Sequence, residues 1–451
     1  MISKSNFRSR IANFLTKTPT VALLLPIQGL SIFFWWVAGS YFGFDVFSSR
    51  MWLSADGDCD PSIEGIGVHC FSDYYTTIRV LESGSLDSIF GSIPYSAAAL
   101  VPFMFFKFLT DITGILWLGL ATYLFALGTL ISYSVWFATK SETFERRVLI
   151  FSTLVLLSPA VLVTLDRGNS VGFIIPTLIW LFSSLQYHRE SQTVLSLAVL
   201  SLIKPHFGVL ALAFILAGRV KVGIRAVGLG SILNLLPFFV FWPKDFPYNV
   251  LVWANSLLGY QELGSVTGFW PQNISFSQSI YLFFYSLNLL AGGQLQTILG
   301  LIESRQGLWG PLVLLLALSL IVVFRKKLST TQMSIIVVSA VSMTSAISYY
   351  YYIVVAIPFI LSLHNAAKSS SELVTLDWHN EIQAFRNERI NFALWFASIL
   401  TLVQFPILGI AQEGEQIVTT AAFIGGVWIT CYAYIFVISM RSKVKSQIPL
   451  G

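Results

Sequence analysis

Asp73 lies in the run Phe71-Ser72-Asp73-Tyr74-Tyr75-Thr76-Thr77-Ile78-Arg79-Val80, a carboxylate beside two tyrosines with an arginine six residues on. One helical turn of this composition at a membrane surface holds a partly desolvated carboxylate, which is what a general base requires. The same letters also read as an Asp near a helix start after Ser72, with interfacial aromatics around it. Two cations lie where charge is costly. Arg167 sits in the tight loop Asp166-Arg167-Gly168-Asn169, and Lys204 in Lys204-Pro205-His206, which interrupts an otherwise apolar stretch from 192 to 217. A lysine before proline breaks a helix and leaves half-helix ends that can face an anion, and its ammonium is a point charge suited to phosphate. For both cations an alternative is a side chain snorkelling to the interface, and for Arg167 a further one is its neighbour Asp166.

The elements that must position these groups are membrane helices. Of 451 residues, 55% are hydrophobic and only 11% charged, with mean hydropathy +0.73, too little polar surface to coat a soluble globule of this size. Apolar runs predict an all-α, polytopic transmembrane bundle of about twelve spans, near 20–40, 114–137, 149–165, 170–186, 192–204, 206–218, 226–242, 308–324, 331–348, 350–363, 391–411 and 416–439. Those near 192–204, 206–218 and 350–363 are shorter than the ~20 residues a straight crossing needs, which makes them half-helices or segments tilted into protein. The first run is too long for a signal-peptide core and reads as an uncleaved helix.

The net charge of +5 does not point to nucleic acid, because the basic residues occur in short clusters between apolar runs. With the N-terminus inside, twenty of the 27 Lys and Arg fall on the cytoplasmic side. The other seven are Arg50, Arg79, Lys107, Arg167, Lys204, Lys244 and Arg305, and they fall outside or at the outer interface. The segments 41–112 and 243–307 then face outward, with 96–109 lying along the interface as an amphipathic helix. This is an integral, multi-pass protein of the plasma (cytoplasmic) membrane, with its candidate chemistry on the extracytoplasmic side. It reads as one domain over 1–451: a core of 19–363, a cytoplasmic connector of 364–390 and a C-terminal helix pair of 391–440.

The first outer segment holds Asp56-Gly57-Asp58-Cys59-Asp60-Pro61, and Cys70 further on. Pro61 stands where a calcium loop needs glycine and no glutamate closes the loop, so no metal is expected there and a solvated acidic turn is favoured. Cys59 and Cys70 face an oxidising side and could form a disulfide, whereas Cys431 lies within a span. The second outer segment, rich in Trp and amides from Trp270 through Asn273 to Gln278, suits either a sugar-binding lip or an ordinary interfacial loop. Tyr349, Tyr350, Tyr351 and Tyr352 form either an aromatic belt or a groove wall. No Walker, HExxH or CxxC motif occurs, so cytosolic nucleotide chemistry has no support and no cofactor is called for.

Taken in order, Ser72-Asp73-Tyr74-Tyr75, Pro94-Tyr95, Arg167-Gly168-Asn169, Ile203-Lys204-Pro205, the stretch Asn273 to Ser279, and Ala346-Ile347-Ser348-Tyr349 ahead of Pro358 resemble the GT-C class of membrane glycosyltransferases. Within that class they are similar to family 87, the polyprenyl-phosphate-mannose-dependent α-1,2-mannosyltransferases. The chain departs from the family in lacking the glutamine usual after Gly168 and in carrying tyrosines where the family has a histidine pair after Ile-Ser.

The resemblance implies transfer of mannose, or another hexose or pentose, from a polyprenyl-phosphate-linked donor to a glycolipid or glycan acceptor, with inversion. Asp73 would be the base. Lys204, Arg167 and Arg79 would hold the donor phosphate, and Tyr74, Tyr75, Asn169, His206, Asn273, Gln278, Tyr349 and Tyr350 would line the sugar and acceptor site. A secondary transporter and a lipid-linked glycan polymerase or ligase are the competing expectations.

Overall fold

A computed structural model describes residues 20–42, 71–83, 95–244, 246–263, 273–345, 347–372, 388–411 and 417–445. The acidic turn at 56–60, the Cys59/Cys70 pair, Pro94, the Trp270 stretch and most of the 364–390 connector lie outside the described residues.

The described chain is almost wholly helical. In order it runs α1 (Thr20–Phe42), α2 (Ser72–Ser83), α3 (Ala97–Thr113), α4 (Leu116–Ala138), α5 (Phe144–Phe151), a π turn (Ser152–Leu156), α6 (Pro159–Arg167), a 3-10 turn (Ser170–Phe173), α7 (Ile174–Gln186) and α8 (Glu190–Ile203). A 3-10 turn (Pro205–Gly208) leads into α9 (Val209–Leu216), α10 (Val220–Phe241), α11 (Phe246–Leu263), α12 (Phe276–Leu290), α13 (Gln296–Glu303), α14 (Gln306–Phe324) and α15 (Thr330–Ser342). After a 3-10 turn (Tyr350–Val355) come α16 (Ala356–Glu372), α17 (Glu388–Leu402), β1 (Pro406–Ala411), β2 (Ile417–Thr419), a 3-10 turn (Thr420–Phe423) and α18 (Ile424–Lys445).

Among the described residues four helices are long and apolar enough to cross a bilayer, at Trp117–Ala138, Val220–Phe241, Gln306–Phe324 and Thr420–Met440. The pair Phe144–Leu156 and Pro159–Arg167, bent by 51°, has the length and composition of a fifth if it forms one broken span rather than a re-entrant loop. The chain is therefore a helical membrane protein. Length and composition alone do not carry the count to the twelve spans expected from the apolar runs. The shortfall has a physical reason. In α15 every position from Gln332 to Ser342 is buried, and Ile353–Ile357 are fully covered. A helix that is apolar all round is wrapped by protein, and its length need not match the bilayer.

Two boundaries differ from expectation. The apolar run at 391–411 does not continue as helix: α17 ends at Leu402 and 406–411 form a strand antiparallel to β2. The stretch Trp270 to Gln278, read as a sugar-binding lip or an interfacial loop, ends in helix, since α12 starts at Phe276.

The arrangement of α8, α9 and α10 sets the depth of Lys204. Glu190 at the start of α8 pairs with Arg225 near the start of α10 at 2.7 Å, and a methyl group added to Gly230 would sit 2.6 Å from the Ser201 hydroxyl. A methyl on Gly223, in turn, would meet Ile215 and Ala211 of α9. So α8 runs alongside α10, α9 runs back against it, and Lys204-Pro205 forms the tip of a hairpin. The tip is fastened to α3, where the Ser96 hydroxyl caps the helix and donates to the Leu202 carbonyl.

The two ends of α4 are chemically distinct. At one end Gly119 lies against the Tyr74 hydroxyl. At the other, some 34 Å away at 1.5 Å per residue over 23 residues, Glu142 meets His364 at 3.2 Å and Arg146 at 3.5 Å, and Asn365 bonds the Ala138 carbonyl.

Candidate functional site

Asp73 enters the first turn of α2 after Phe71, which adopts a left-handed φ of 48°. The helix N-terminus favours the carboxylate, and the Thr77 hydroxyl returns a bond to the Asp73 carbonyl at 2.7 Å. The side chain meets α6 and its C-terminal turn, 94 to 96 residues away in sequence. Arg167 Nε donates to Oδ2 at 2.9 Å, Arg167 Nη2 to Oδ1 at 3.2 Å, and Asn169 Nδ2 to Oδ2 at 2.7 Å.

Asn169 is fixed in turn, because its Oδ1 accepts the Val171 N–H at 2.8 Å in an Asx turn. A carboxylate offers about four lone pairs, and here three are occupied. The fourth belongs to Oδ1. Among the described residues, one acceptor position on Oδ1 is thus left open.

Gly168 makes this junction possible. It has φ 64°, and a Cβ there would lie 2.7 Å from the Tyr74 Cβ. Conformation and close approach both demand glycine at this point. Tyr74 is buried against Tyr75, Phe103 and Tyr123 at ring separations of 5.6, 5.9 and 5.2 Å. Burial, reinforced by the neighbouring Tyr75, raises the Tyr74 phenol above its ordinary value, and burial raises Tyr75 as well. Both phenols stay protonated at neutral pH, and of the two carboxylates on α2 Asp73 lies in this cluster whereas Glu82 faces Lys107 at 3.8 Å.

Lys204 is 4% exposed at the hairpin tip, with its ammonium 3.9 Å from the centre of the Tyr95 ring. Tyr95 is held by the Trp253 indole, which donates to its carbonyl at 3.1 Å, and by stacking on Phe103. The Lys204 side chain makes no hydrogen bond or ion pair among the described residues. A desolvated cation–π contact contributes about 2 kcal/mol, whereas removing an ion from water costs several. The ring therefore meets only part of that cost.

A third wall comes from 349–352. Tyr349 lies with Arg167 5.9 Å from its ring centre and stacks on Tyr351, and Tyr352 faces His206 at 5.7 Å. His206 is exposed at the tip. Asn273 positions this wall. Its Oδ1 accepts the N–H groups of Ser275 at 3.0 Å and Ser348 at 2.9 Å, and its backbone bridges to Tyr349. Its side-chain oxygen is thus committed to the chain rather than offered to a ligand.

Gln278 is buried in the first turn of α12, capped by Ser275, and Tyr350 is buried within the core. Neither is joined to Asp73 by these contacts. Arg79 is exposed and about 120° round α2 from Asp73, facing away from the cluster.

The structure thus gathers Asp73, Tyr74, Arg167, Asn169 and Tyr349, with Lys204 and His206 at the adjoining hairpin tip. It adds Tyr95, Tyr123 and Tyr352. The signal for Tyr95 was indirect: a buried Lys204 needs a partner, but nothing in the sequence says that the partner lies 109 positions upstream. No family model, curated protein or solved structure matches the chain.

Proposed function

We propose that this protein is a membrane glycosyltransferase of GT-C type that uses a polyprenyl-phosphate-linked sugar. The observation that carries the proposal is a carboxylate held by Arg167 and Asn169, with one lone pair open among the described residues, beside a hairpin tip that buries the Lys204 amine against the Tyr95 ring. An acceptor hydroxyl donates its proton to Oδ1 of Asp73 as its oxygen bonds the anomeric carbon. The bond from that carbon to the phosphate oxygen breaks on the opposite face, and polyprenyl phosphate leaves with the electron pair. Negative charge grows on the leaving phosphate, and Lys204 stabilises it in a low-dielectric pocket. Arg167 and Asn169 orient Asp73, and Tyr349 with Tyr352 forms an aromatic wall suited to a sugar ring.

The length of α4 between the Asp73 end and the Arg146 end supports extracytoplasmic chemistry, since the basic clusters mark the cytoplasmic side. Mannose is the sugar that the resemblance favours, and the tyrosines at 349–352 leave other hexoses and pentoses open.

The test is reconstitution of purified protein with a panel of polyprenyl-phosphate sugars, measuring released polyprenyl phosphate. Asp73→Asn should abolish release while the protein still inserts and melts normally. A variant that keeps a tenth of wild-type turnover would make Asp73 a structural cap and remove the proposal's base.

A further inference from the structure

Helices α12 (Phe276–Leu290) and α13 (Gln296–Glu303) form a hairpin whose base is tied to the start of α14. The Ser277 hydroxyl donates to the Gln306 carbonyl at 2.6 Å, and the Trp309 indole donates to the Ile302 carbonyl at 3.1 Å. Its arms are about 22 and 12 Å long, and neither has the ~20 residues that a crossing needs. The far end of α14 runs into Arg325, Lys326 and Lys327, so the hairpin belongs to the opposite, extracytoplasmic end.

An outer segment that meets water carries charge, as 41–112 does from Asp45 through to Asp111. No Asp, Glu, Lys, Arg or His occurs from Leu263 to Ile302, and charge returns only at Glu303 and Arg305, beside the start of α14. The open surface of the hairpin is apolar instead. Leu290 at its tip is 85% exposed, and Phe283, Leu289 and Leu301 are each more than half exposed.

The turn between the arms is closed in on itself. Gly292 and Gly293 reverse the chain at φ 60° and 88°, and every N–H from Ala291 to Gln296 has an acceptor within the hairpin. Five of these acceptors are backbone carbonyls. The sixth is Oδ1 of the buried Asn288, which takes the Leu295 N–H at 2.8 Å while its Nδ2 donates to Gln296 Oε1 at 3.1 Å. The exposed Ser286 hydroxyl also turns inward, donating to the Leu282 carbonyl at 2.8 Å. A turn in water can leave such groups to solvent, whereas in lipid each must be met from within.

We infer that the α12–α13 hairpin is a membrane-contact element lying at the headgroup–acyl boundary of the outer leaflet, with Leu289 and Leu290 among the acyl chains. Its exposed polar side chains Gln294 and Thr297 are uncharged and suit the headgroup level. The apolar surface is continuous with that of the adjoining span, where Leu308, Leu312, Leu315 and Leu316 are exposed along α14. The inference stands whether or not the Asp73 cluster transfers sugar, since it uses none of those residues.

The test uses the full-length protein, in a cysteine-free background, in phosphatidylcholine nanodiscs. A nitroxide is attached to Leu290→Cys and, in parallel, to Thr76→Cys, an exposed position on the charged first outer segment. Power saturation by oxygen, which concentrates in hydrocarbon, is compared with that by an uncharged nickel chelate, which stays in water. Oxygen should relax the label at 290 at least threefold more than the chelate does, with the order inverted at 76. Phe283→Cys carries the same arm if Leu290→Cys does not fold. A chelate-dominated label on the hairpin overturns the inference by placing it in water. Exclusion of both reagents also overturns it, and dipolar broadening between labels would then give the surface to a second copy of this chain.

Discussion

Replacing Lys204 by methionine should make the protein more stable and less able to hold an anion. The side chain is 96% buried by its 4% exposure, and its partner is the Tyr95 ring at 3.9 Å. Desolvating an ammonium costs several kcal/mol even after relaxation, and the ring returns about 2, so roughly 1–3 kcal/mol stands against the fold. Methionine keeps the length and apolar stem and removes the charge. The gain should appear as a rise in Tm on the order of a few degrees in one detergent, read by tryptophan fluorescence. Dodecyl phosphate supplies the second reading. It should raise the wild-type Tm by mass action and leave that of Lys204→Met unchanged. Lys204→Arg should respond weakly, because a planar fork is larger and differently directed than an ammonium. If Lys204→Met melts below wild type and both proteins respond equally to dodecyl phosphate, the lysine is structural and the phosphate site lies elsewhere.

Gly168→Ala forces a side chain into a left-handed turn, which costs about 1–2 kcal/mol, and against Tyr74 at 2.7 Å. Turnover should fall at least tenfold with a lower Tm, and normal turnover would mean that α2 and α6 move independently. Asn169→Ala removes the 2.7 Å bond to Asp73 and the Asx turn. It should reduce kcat about tenfold and leave the donor KM near wild type, whereas a KM effect alone would make Asn169 a substrate ligand. In a cysteine-free background, Thr76→Cys should react with an impermeant maleimide in intact cells and Lys326→Cys should not. The reverse would overturn the assigned sidedness.

Much of the site could be read from residue chemistry, because charge in an apolar chain is conspicuous. Asp73, Arg167 and Lys204 each stood out, and the order of their motifs suggested one site. What could not be read was pairing. Arg167 was expected on a phosphate, and in this structure it holds Asp73, because the reversal at Gly168 turns it toward α2. Asn169, in place of a longer amide, reads as a departure from a motif, yet its short side chain is what closes an Asx turn and still reaches the carboxylate.

Apolar runs were informative about burial and less so about geometry. The segment 406–411, Pro-Ile-Leu-Gly-Ile-Ala, has the composition of a helix end and pairs as a strand. The segment 330–342 is apolar because protein surrounds it, not because it must match a bilayer.

The break between α5 and α6 has a consequence for where a charge can be delivered. The π turn at Ser152–Leu156 and Pro159 bend the path by 51°. Beyond the bend α6 is nine residues long, about 13 Å, so its far end lands roughly 10 Å to the side of where a straight rod would finish. That offset is about one interaxial spacing between packed helices. A straight rod would surface under its own axis, with its terminal arginine pointing into whatever lay above. The bent one works as a crank that carries Arg167 across one neighbour's width, to meet the carboxylate that α2 presents beside the buried Tyr74.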